Sequence, residues 1–286
     1  MSFIPVHVLL KEAEAGGYAV GAFNCHNMEF IQAIVGAAEA EKAPVIIQAS
    51  QGALKYGGIN YIVALVRAAA EEARVPVALH LDHGTSFTQV MQCLRAGFSS
   101  VMFDGSKLPL NDNINITREI VKIARPLNVS VEAELGKIGG AEEKNIVLEQ
   151  EALFTDPAQA QYFVQCTEVD SLAVAIGNVH GHYKGKPALD FTRLQKISSL
   201  VHIPIVLHGS SGLPDEAIKQ AIELGVRKVN IDTDIRDAFL SMARQTLLQN
   251  PAENDPRQIL GPARKAAQEV IQKKIRLFGS AGKAKI

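Results

Sequence analysis

The sequence predicts an α/β protein, a single (β/α)8 barrel spanning residues 1–286. Three observations predict it. Short apolar runs alternate with longer amphipathic runs along the whole chain. The alternation repeats about eight times, as a closed parallel sheet wrapped in helices requires. The short runs are apolar on both faces, which suits strands buried between a barrel interior and a helical coat. Length agrees. The 286 residues exceed an average domain of ~150, but α/β barrels run as one domain at 200–250 residues and more. No linker or low-complexity stretch divides the chain.

The elements follow in order. Residues 5–15 have helical spacing and precede the first strand as an extra helix. The predicted strands are residues 18–24, 44–50, 77–82, 100–104, 129–135, 171–176, 204–208 and 227–231. The predicted helices between them are 31–41, 61–72, 110–127, 157–166, 191–200, 214–224 and 234–249. Pro157 and Pro214 fall in first turns, where the missing N–H is no loss. Residues 255–278 read as one or two extra C-terminal helices. The stretch 136–154, rich in Gly and Glu, reads as one long irregular loop, and such loops are commonly functional.

Charge narrows the function classes. Lys and Arg number 29 against 30 Asp and Glu, a net charge of −1, so neither a nucleic-acid binder nor a polybasic membrane module is expected. No apolar run is long enough to cross a bilayer, and the first residues lack a signal-peptide pattern. Cys25, Cys93 and Cys166 are odd in number and scattered, which suits a reducing cytoplasm and small buried hydrophobes rather than a metal cluster. The protein is expected to be cytoplasmic.

Polar residues gather where strands end. The exits carry His80, Asp82 and His83; Asp104; Glu132 and Glu134; Asn178, His180 and His182; His208; and Asn230, Asp232 and Asp234. In a barrel these positions share the C-terminal face, where chemistry is done. A lone His or Asp there is usually a rim hydrogen bonder or a helix cap. Together they are harder to explain as structure. His83, His180 and His208 would converge from three strands, and three neutral imidazoles with an open fourth position are a catalytic Zn2+ arrangement. Which histidines bind is open from spacing alone. His80 and Asp82 share a face by the two-residue period, so His83 reaches the mouth only if the chain leaves strand geometry there, as Gly84 permits. His182 competes with His180. His7, His26 and His202 read as ordinary loop or helix residues. The run Gly209, Ser210, Ser211, Gly212 precedes Pro214 at a helix start, which offers backbone N–H groups to an anion, the frequent phosphate position of such barrels.

These motifs resemble the class II, zinc-dependent fructose-/tagatose-bisphosphate aldolases. Val77-Ala78-Leu79-His80-Leu81-Asp82-His83-Gly84 is similar to one signature of that family, and Val131 through Glu142 to the other. Matches at Phe23-Asn24, Gly177 to Gly181, Val206 to Gly209, Asn230 to Asp234 and Asp255-Pro256-Arg257 extend the resemblance over the chain. One departure is Lys107, where a histidine is common. The resemblance implies Zn2+ on His83, His180 and His208, Glu134 approaching the metal, and Asp104 near an accessory cation. It implies Asp82 as acid/base at the C4 oxygen and Glu142 as a mobile-loop acid/base at the dihydroxyacetone-phosphate carbon. Gly181, Lys184, Gly209, Ser210, Ser211, Asn230, Asp232 and Thr233 would hold that phosphate half. Asn24 and Ser50 would contact substrate, and Arg257 would reach the other phosphate from a neighbouring subunit. A monovalent cation, Na+ or K+, is implied near the Val179 to Gly181 and Gly209 carbonyls.

The chemistry agrees with that assignment. Cleaving C3–C4 of a ketose leaves a carbanion that needs an electron sink. No predicted strand exits in a lysine that could form a Schiff base, so a Lewis-acid metal is the better candidate. The expected activity is reversible cleavage of fructose 1,6-bisphosphate to dihydroxyacetone phosphate and glyceraldehyde 3-phosphate by a homodimer or homotetramer. The alternatives are a tagatose 1,6-bisphosphate aldolase, a metal-free phosphosugar isomerase or epimerase, and a non-catalytic subunit; retention of Asp82 with the histidines argues against the last.

Overall fold

The computed structural model describes residues 3–142, 145–147, 154–183, 185 and 187–285. The chain opens with helix α1 (Val6–Gly16) and β1 (Val20–Asn24), followed by α2 (Met28–Glu41) and β2 (Val45–Ser50). Two helices, α3 (Gln51–Gly57) and α4 (Ile59–Glu72), lead to β3 (Val77–Gly84), and α5 (Phe87–Ala96) to β4 (Ser100–Phe103). Then come α6 (Leu110–Ala124), β5 (Ser130–Leu135), β6 (Gly139–Glu142), β7 (Asn145–Val147), α7 (Pro157–Thr167), β8 (Ser171–Val174) and β9 (Val179–His180). The last are α8 (Phe191–Val201), β10 (Ile205–Leu207), α9 (Asp215–Glu223), β11 (Val226–Ile231), α10 (Thr233–Gln249) and α11 (Pro256–Leu277). Eight strands close in the order β1-β11-β10-β8-β5-β4-β3-β2, with parallel pairing at every described joint.

Three apolar layers hold the barrel. The largest lies between sheet and helices. Inside, Met102, Ala173 and Val206 meet at mid-height. At the N-terminal end α1 closes the barrel, packing Val6, Leu9, Leu10 and Ala13 on Val20, Ala22, Ile46 and Ala78. The upper interior is polar. By the two-residue period Ala22 is followed inward by Asn24, Ile46 by Gln48, and Val206 by His208.

The structure adds to the sequence reading in four places. The helix α5 went unrecognised, its apolar face being only Val90, Cys93 and Leu94 in a polar stretch. The short α3 also went unrecognised; it is capped by Ser50, whose Oγ accepts from Ala53 N–H. The stretch 136–154 is not simply irregular, because β6 and β7 pair antiparallel and β6 pairs in parallel with β9. The C-terminal extension is one helix, α11, despite Pro262 inside it. Of the cysteines, Cys25 and Cys93 are buried as expected, with thiols pushed up to about 12 by burial, whereas Cys166 is only half-buried.

Candidate active site

His83 is the residue on which the mouth turns. Strict alternation would aim it at the helical layer. Instead φ is +50° there, and the register with β4 slips by one residue between Leu81 and Gly84. This bulge puts the consecutive side chains Asp82 and His83 on one face. His is among the residues that tolerate a left-handed conformation. Gly84 then passes so close to β4 that a Cβ would lie 2.6 Å from the Met102 carbonyl oxygen. Gln51, at the start of α3, donates from Nε2 to the His83 carbonyl and at 3.0 Å to Thr85 Oγ1, bracing the bulge.

The three expected imidazoles converge. Their ring centroids lie 4.7 Å (His83–His208), 5.0 Å (His83–His180) and 5.9 Å (His180–His208) apart. One nitrogen from each lies within 4.8 Å of the others. His180 reaches the group from β9, whose partner is β6, and not from a barrel strand. His182 lies on the surface 3.5 Å from Asp237, which settles the competition with His180.

Carboxylates fix two of the rings. His83 Nδ1 donates to Asp104 Oδ2 at 3.2 Å, and His208 Nε2 donates to Glu132 Oε1 at 2.8 Å. A carboxylate only accepts, so these nitrogens carry the protons. The other two nitrogens, His83 Nε2 and His208 Nδ1, face each other at 2.8 Å with lone pairs forward. Two lone pairs that close need a cation. Protonation of His208 is disfavoured, because burial, with His83 and Lys228 nearby, lowers its pKa to about 4 against the opposing pull of Glu132, and a metal ion would satisfy both lone pairs. The surroundings are anionic: Asp82, Asp104, Glu132 and Glu134 lie in this interior against Lys228. Burial raises the pKa of Asp104, but His83 and Ser106 outweigh it and hold the carboxyl well below the usual range. In Glu132 the same burial is outweighed by Lys228, His208 and His80. The donor set fits a divalent metal ion on three imidazoles. Glu134 Oε2 stands 3.9 Å from His83 Nδ1, and Asp104, Glu134 and His83 form a second, overlapping candidate group.

Above the imidazoles lies a cleft bordered by Asn24, Ser50, His180, Gly181, His208, Gly209, Ser210, Ser211, Asn230, Asp232 and Thr233. One edge is the loop 209–212 with the N-terminus of α10, whose backbone N–H groups suit an anion. Gly209 has φ +58°, and a Cβ on it would lie 2.4 Å from the Val179 carbonyl oxygen. Ser211 Oγ accepts from Asp234 N–H at 3.3 Å, tying the loop to α10, so the helix start on this edge is Thr233 rather than the one after Pro214. Tyr183 clamps the loop from outside, donating to the Gly209 carbonyl at 2.8 Å and accepting from Val179 N–H at 3.1 Å.

Asp82 sits below the cleft floor and is fully buried. Its Oδ2 accepts from Asn24 Nδ2 at 2.9 Å and Gln48 Nε2 at 3.2 Å, and its Oδ1 from Asn230 Nδ2 at 3.4 Å. Among the described residues Asn230 Oδ1 has no hydrogen-bond partner, so one acceptor at the cleft floor stays unused.

One expected residue is not brought to the cleft, and two cannot be placed among the described side chains. Arg257 is exposed and chelates Asp255, as the first turn of α11 lies on the outside of the barrel, so a role for it requires a second chain. Lys184 and the side chain of Glu142 lie outside the described residues. Other residues went unforeseen. His26 is not an ordinary loop residue, since it borders the cleft and its Nε2 is 2.8 Å from Asp232 Oδ1, with Arg236 3.3 Å from the other oxygen. No period marks it, because it follows β1 in a loop. Glu132 was read as a strand-exit residue but not as the partner of His208, and Gln48 and Lys228 were accessible by counting two residues back from Ser50 and Asn230.

A parallel eight-stranded barrel with three convergent, largely buried histidines beside a loop and helix N-terminus suited to an anion has the layout of a metal-dependent enzyme acting on phosphorylated substrates. The family of class II fructose-bisphosphate aldolases matches residues 5–283. The fructose-bisphosphate aldolase of Thermus caldophilus is 48% identical over 96% of this chain and 98% of that protein. That of Geobacillus stearothermophilus is 45% identical over 99% of each. Among solved structures, the YdjI aldolase of Escherichia coli K12 superposes with a TM-score of 0.86 at 35% identity, covering 99% of this chain and 100% of that one. Fructose-bisphosphate aldolase of Campylobacter jejuni gives 0.80 at 26% identity, covering 99% and 97%. The chain belongs to the class II fructose-bisphosphate aldolase family and is an aldolase, a carbon–carbon lyase.

Proposed function

We propose that this aldolase cleaves fructose 1,6-bisphosphate reversibly to dihydroxyacetone phosphate and glyceraldehyde 3-phosphate, with Zn2+ held by His83, His180 and His208. The observation that carries the reading is the 2.8 Å approach of His83 Nε2 to His208 Nδ1, each imidazole braced by a carboxylate on its other nitrogen. A Zn2+ ion held there supplies Lewis-acid stabilisation of the negative charge that develops when C3–C4 breaks.

The chain's own groups do the rest. Asp82 takes the C4 hydroxyl proton on cleavage and returns it on condensation; to reach the cleft it must turn away from Asn24 and Gln48. Glu142 serves as acid/base at the dihydroxyacetone-phosphate carbon. Gly181, Lys184, Gly209, Ser210, Ser211 and Thr233 hold the adjoining phosphate, while Asn230 and Asp232 meet substrate hydroxyls. Asn24 and Ser50 contact the other half, and Arg257 of a second subunit reaches its phosphate. Two phosphate anchors fix the reacting carbons between them. The carbonyls of Val179, Gly181 and Gly209 offer a Na+ or K+ site. No helix among the described residues is long and apolar enough to cross a membrane, and the substrates are soluble, so we place a homodimer or homotetramer in the cytoplasm.

The names of the Thermus and Geobacillus relatives support fructose over tagatose. The test is kcat/KM for both 1,6-bisphosphates on Zn2+-loaded protein. At least a tenfold preference for the fructose isomer is expected. A preference for tagatose reassigns the substrate, and isomerisation without cleavage reassigns the reaction.

A further inference from the structure

One layer below the three imidazoles, the barrel interior departs from the branched apolar filling usual in such folds. Lys228 from β11, Glu132 from β5 and His80 from β3 meet there, each at most 1% exposed. Lys228 Nζ donates to Glu132 Oε2 at 2.8 Å and approaches His80 Nε2 at 3.4 Å. His80 Nδ1 pairs with Ser100 Oγ at 2.7 Å, so the lysine has two acceptors, and His80 is occupied away from the metal centre. The second oxygen of Glu132 is the one that accepts from His208 Nε2.

Stability alone does not explain this pair. Replacing a buried ion pair by apolar side chains of similar volume is often neutral or stabilising. Its geometry has another consequence. A neutral imidazole has two tautomers, and only the one protonated on Nε2 leaves the Nδ1 lone pair facing His83 Nε2. Glu132 Oε1, an acceptor only, selects that tautomer and holds the ring in plane. Lys228 engages the other oxygen and so prevents the carboxylate from rotating.

We propose that Glu132, clamped by Lys228, is a positioning residue that sets the tautomer and orientation of His208 and thereby the affinity for the metal ion, without touching substrate. The proposal rests on the three-histidine metal reading. Partners of this kind typically change metal affinity by 10–100-fold.

The experiment measures Zn2+ affinity by chelator competition on the full chain, with thermal unfolding alongside. The double variant Glu132→Leu/Lys228→Met removes both charges at similar volume. It is expected to remain folded and to bind Zn2+ 10–100-fold more weakly. Glu132→Gln in the Lys228→Met background, whose amide oxygen can still accept from His208, is expected to recover tighter binding than the leucine variant. Wild-type affinity in the folded leucine variant overturns the proposal. Should that variant not fold, long-range 1H–15N spectra of the wild-type imidazoles decide: a proton on His208 Nε2 in metal-free protein supports it, and one on Nδ1 overturns it. The metal reading fails separately, and takes the proposal with it, if the wild type binds no Zn2+ and His208→Ala changes nothing.

Discussion

Asp82 and His83 are neighbours in sequence with opposite tasks, and the bulge that places both on one face makes that division possible. Asp82 Oδ1 comes no closer than 3.8 Å to His83 Nε2, beyond hydrogen-bond distance, and the carboxylate is held by the amides of Asn24, Gln48 and Asn230. Asp82→Ala is therefore expected to lower cleavage by about 10²–10⁴-fold, the usual contribution of a general acid/base, with Zn2+ content unchanged. Solvent exchange of the dihydroxyacetone-phosphate C3 proton should persist, since that step is assigned to Glu142; loss of exchange together with cleavage removes both assignments. His208 makes the pH prediction. Its native pKa, about 4, lies below the ordinary 6.5. Between those values the unfolded chain takes up a proton that the native protein refuses. Stability of the metal-free protein should be fully present above about pH 6.5 and fall by roughly 3 kcal/mol as pH drops to about 4. His80, also lowered by burial, adds a loss of the same sign, and Asp104 and Glu132, held ionised to lower pH, add theirs at the acid end of the window, where the unfolded carboxyls begin to protonate. Denaturant unfolding at pH 7, 5.5 and 4 checks the slope, and His208→Gln should reduce it, leaving the share of His80.

Two backbone contacts decide whether the elements deliver these side chains. Gly84 packs its Cα against the Met102 carbonyl, with Leu81 and Val90 within 3.0 Å of any added Cβ. Gly84→Ala must shift β3 away from β4, so it should cost about 1–3 kcal/mol and weaken Zn2+ binding together, because the bulge carries His83. Unchanged Zn2+ affinity in a destabilised Gly84→Ala protein would show the bulge to be structural only. The barrel strands were legible in the sequence because strands buried on both faces read as apolar runs, and all eight exits carry polar side chains that share one end by topology. The helix α5 was not legible, having three buried residues in ten. Nor was the sheet β7-β6-β9, whose strands are three, four and two residues long and Gly-rich in part, too short for a period to register. His83, His180 and His208 were legible as a group by residue type, but the orienting roles of Asp104 and Glu132 depend on which oxygen meets which nitrogen, and no spacing encodes that.

Across the whole molecule, stability and chemistry occupy opposite ends of the barrel. The α1 plug buries Leu10 completely against Val20, Ala22, Ile46 and Ala78, one barrel length from the imidazoles. Leu10→Ala should destabilise the protein by about 2–5 kcal/mol and leave Zn2+ affinity and kcat/KM unchanged at temperatures where it stays folded. A fall in kcat/KM of the folded variant would mean that the plug transmits strain to the mouth. The polar upper interior, whose carboxylates are hydrogen-bonded or paired, brings three imidazoles together around a place for a cation. Titration of chelator-stripped wild-type protein with Zn2+, with fructose 1,6-bisphosphate cleavage followed in a coupled assay, tests that most directly. The expected result is no cleavage in the stripped protein and a linear return of activity that breaks at one Zn2+ per chain; full cleavage by the stripped protein would contradict it.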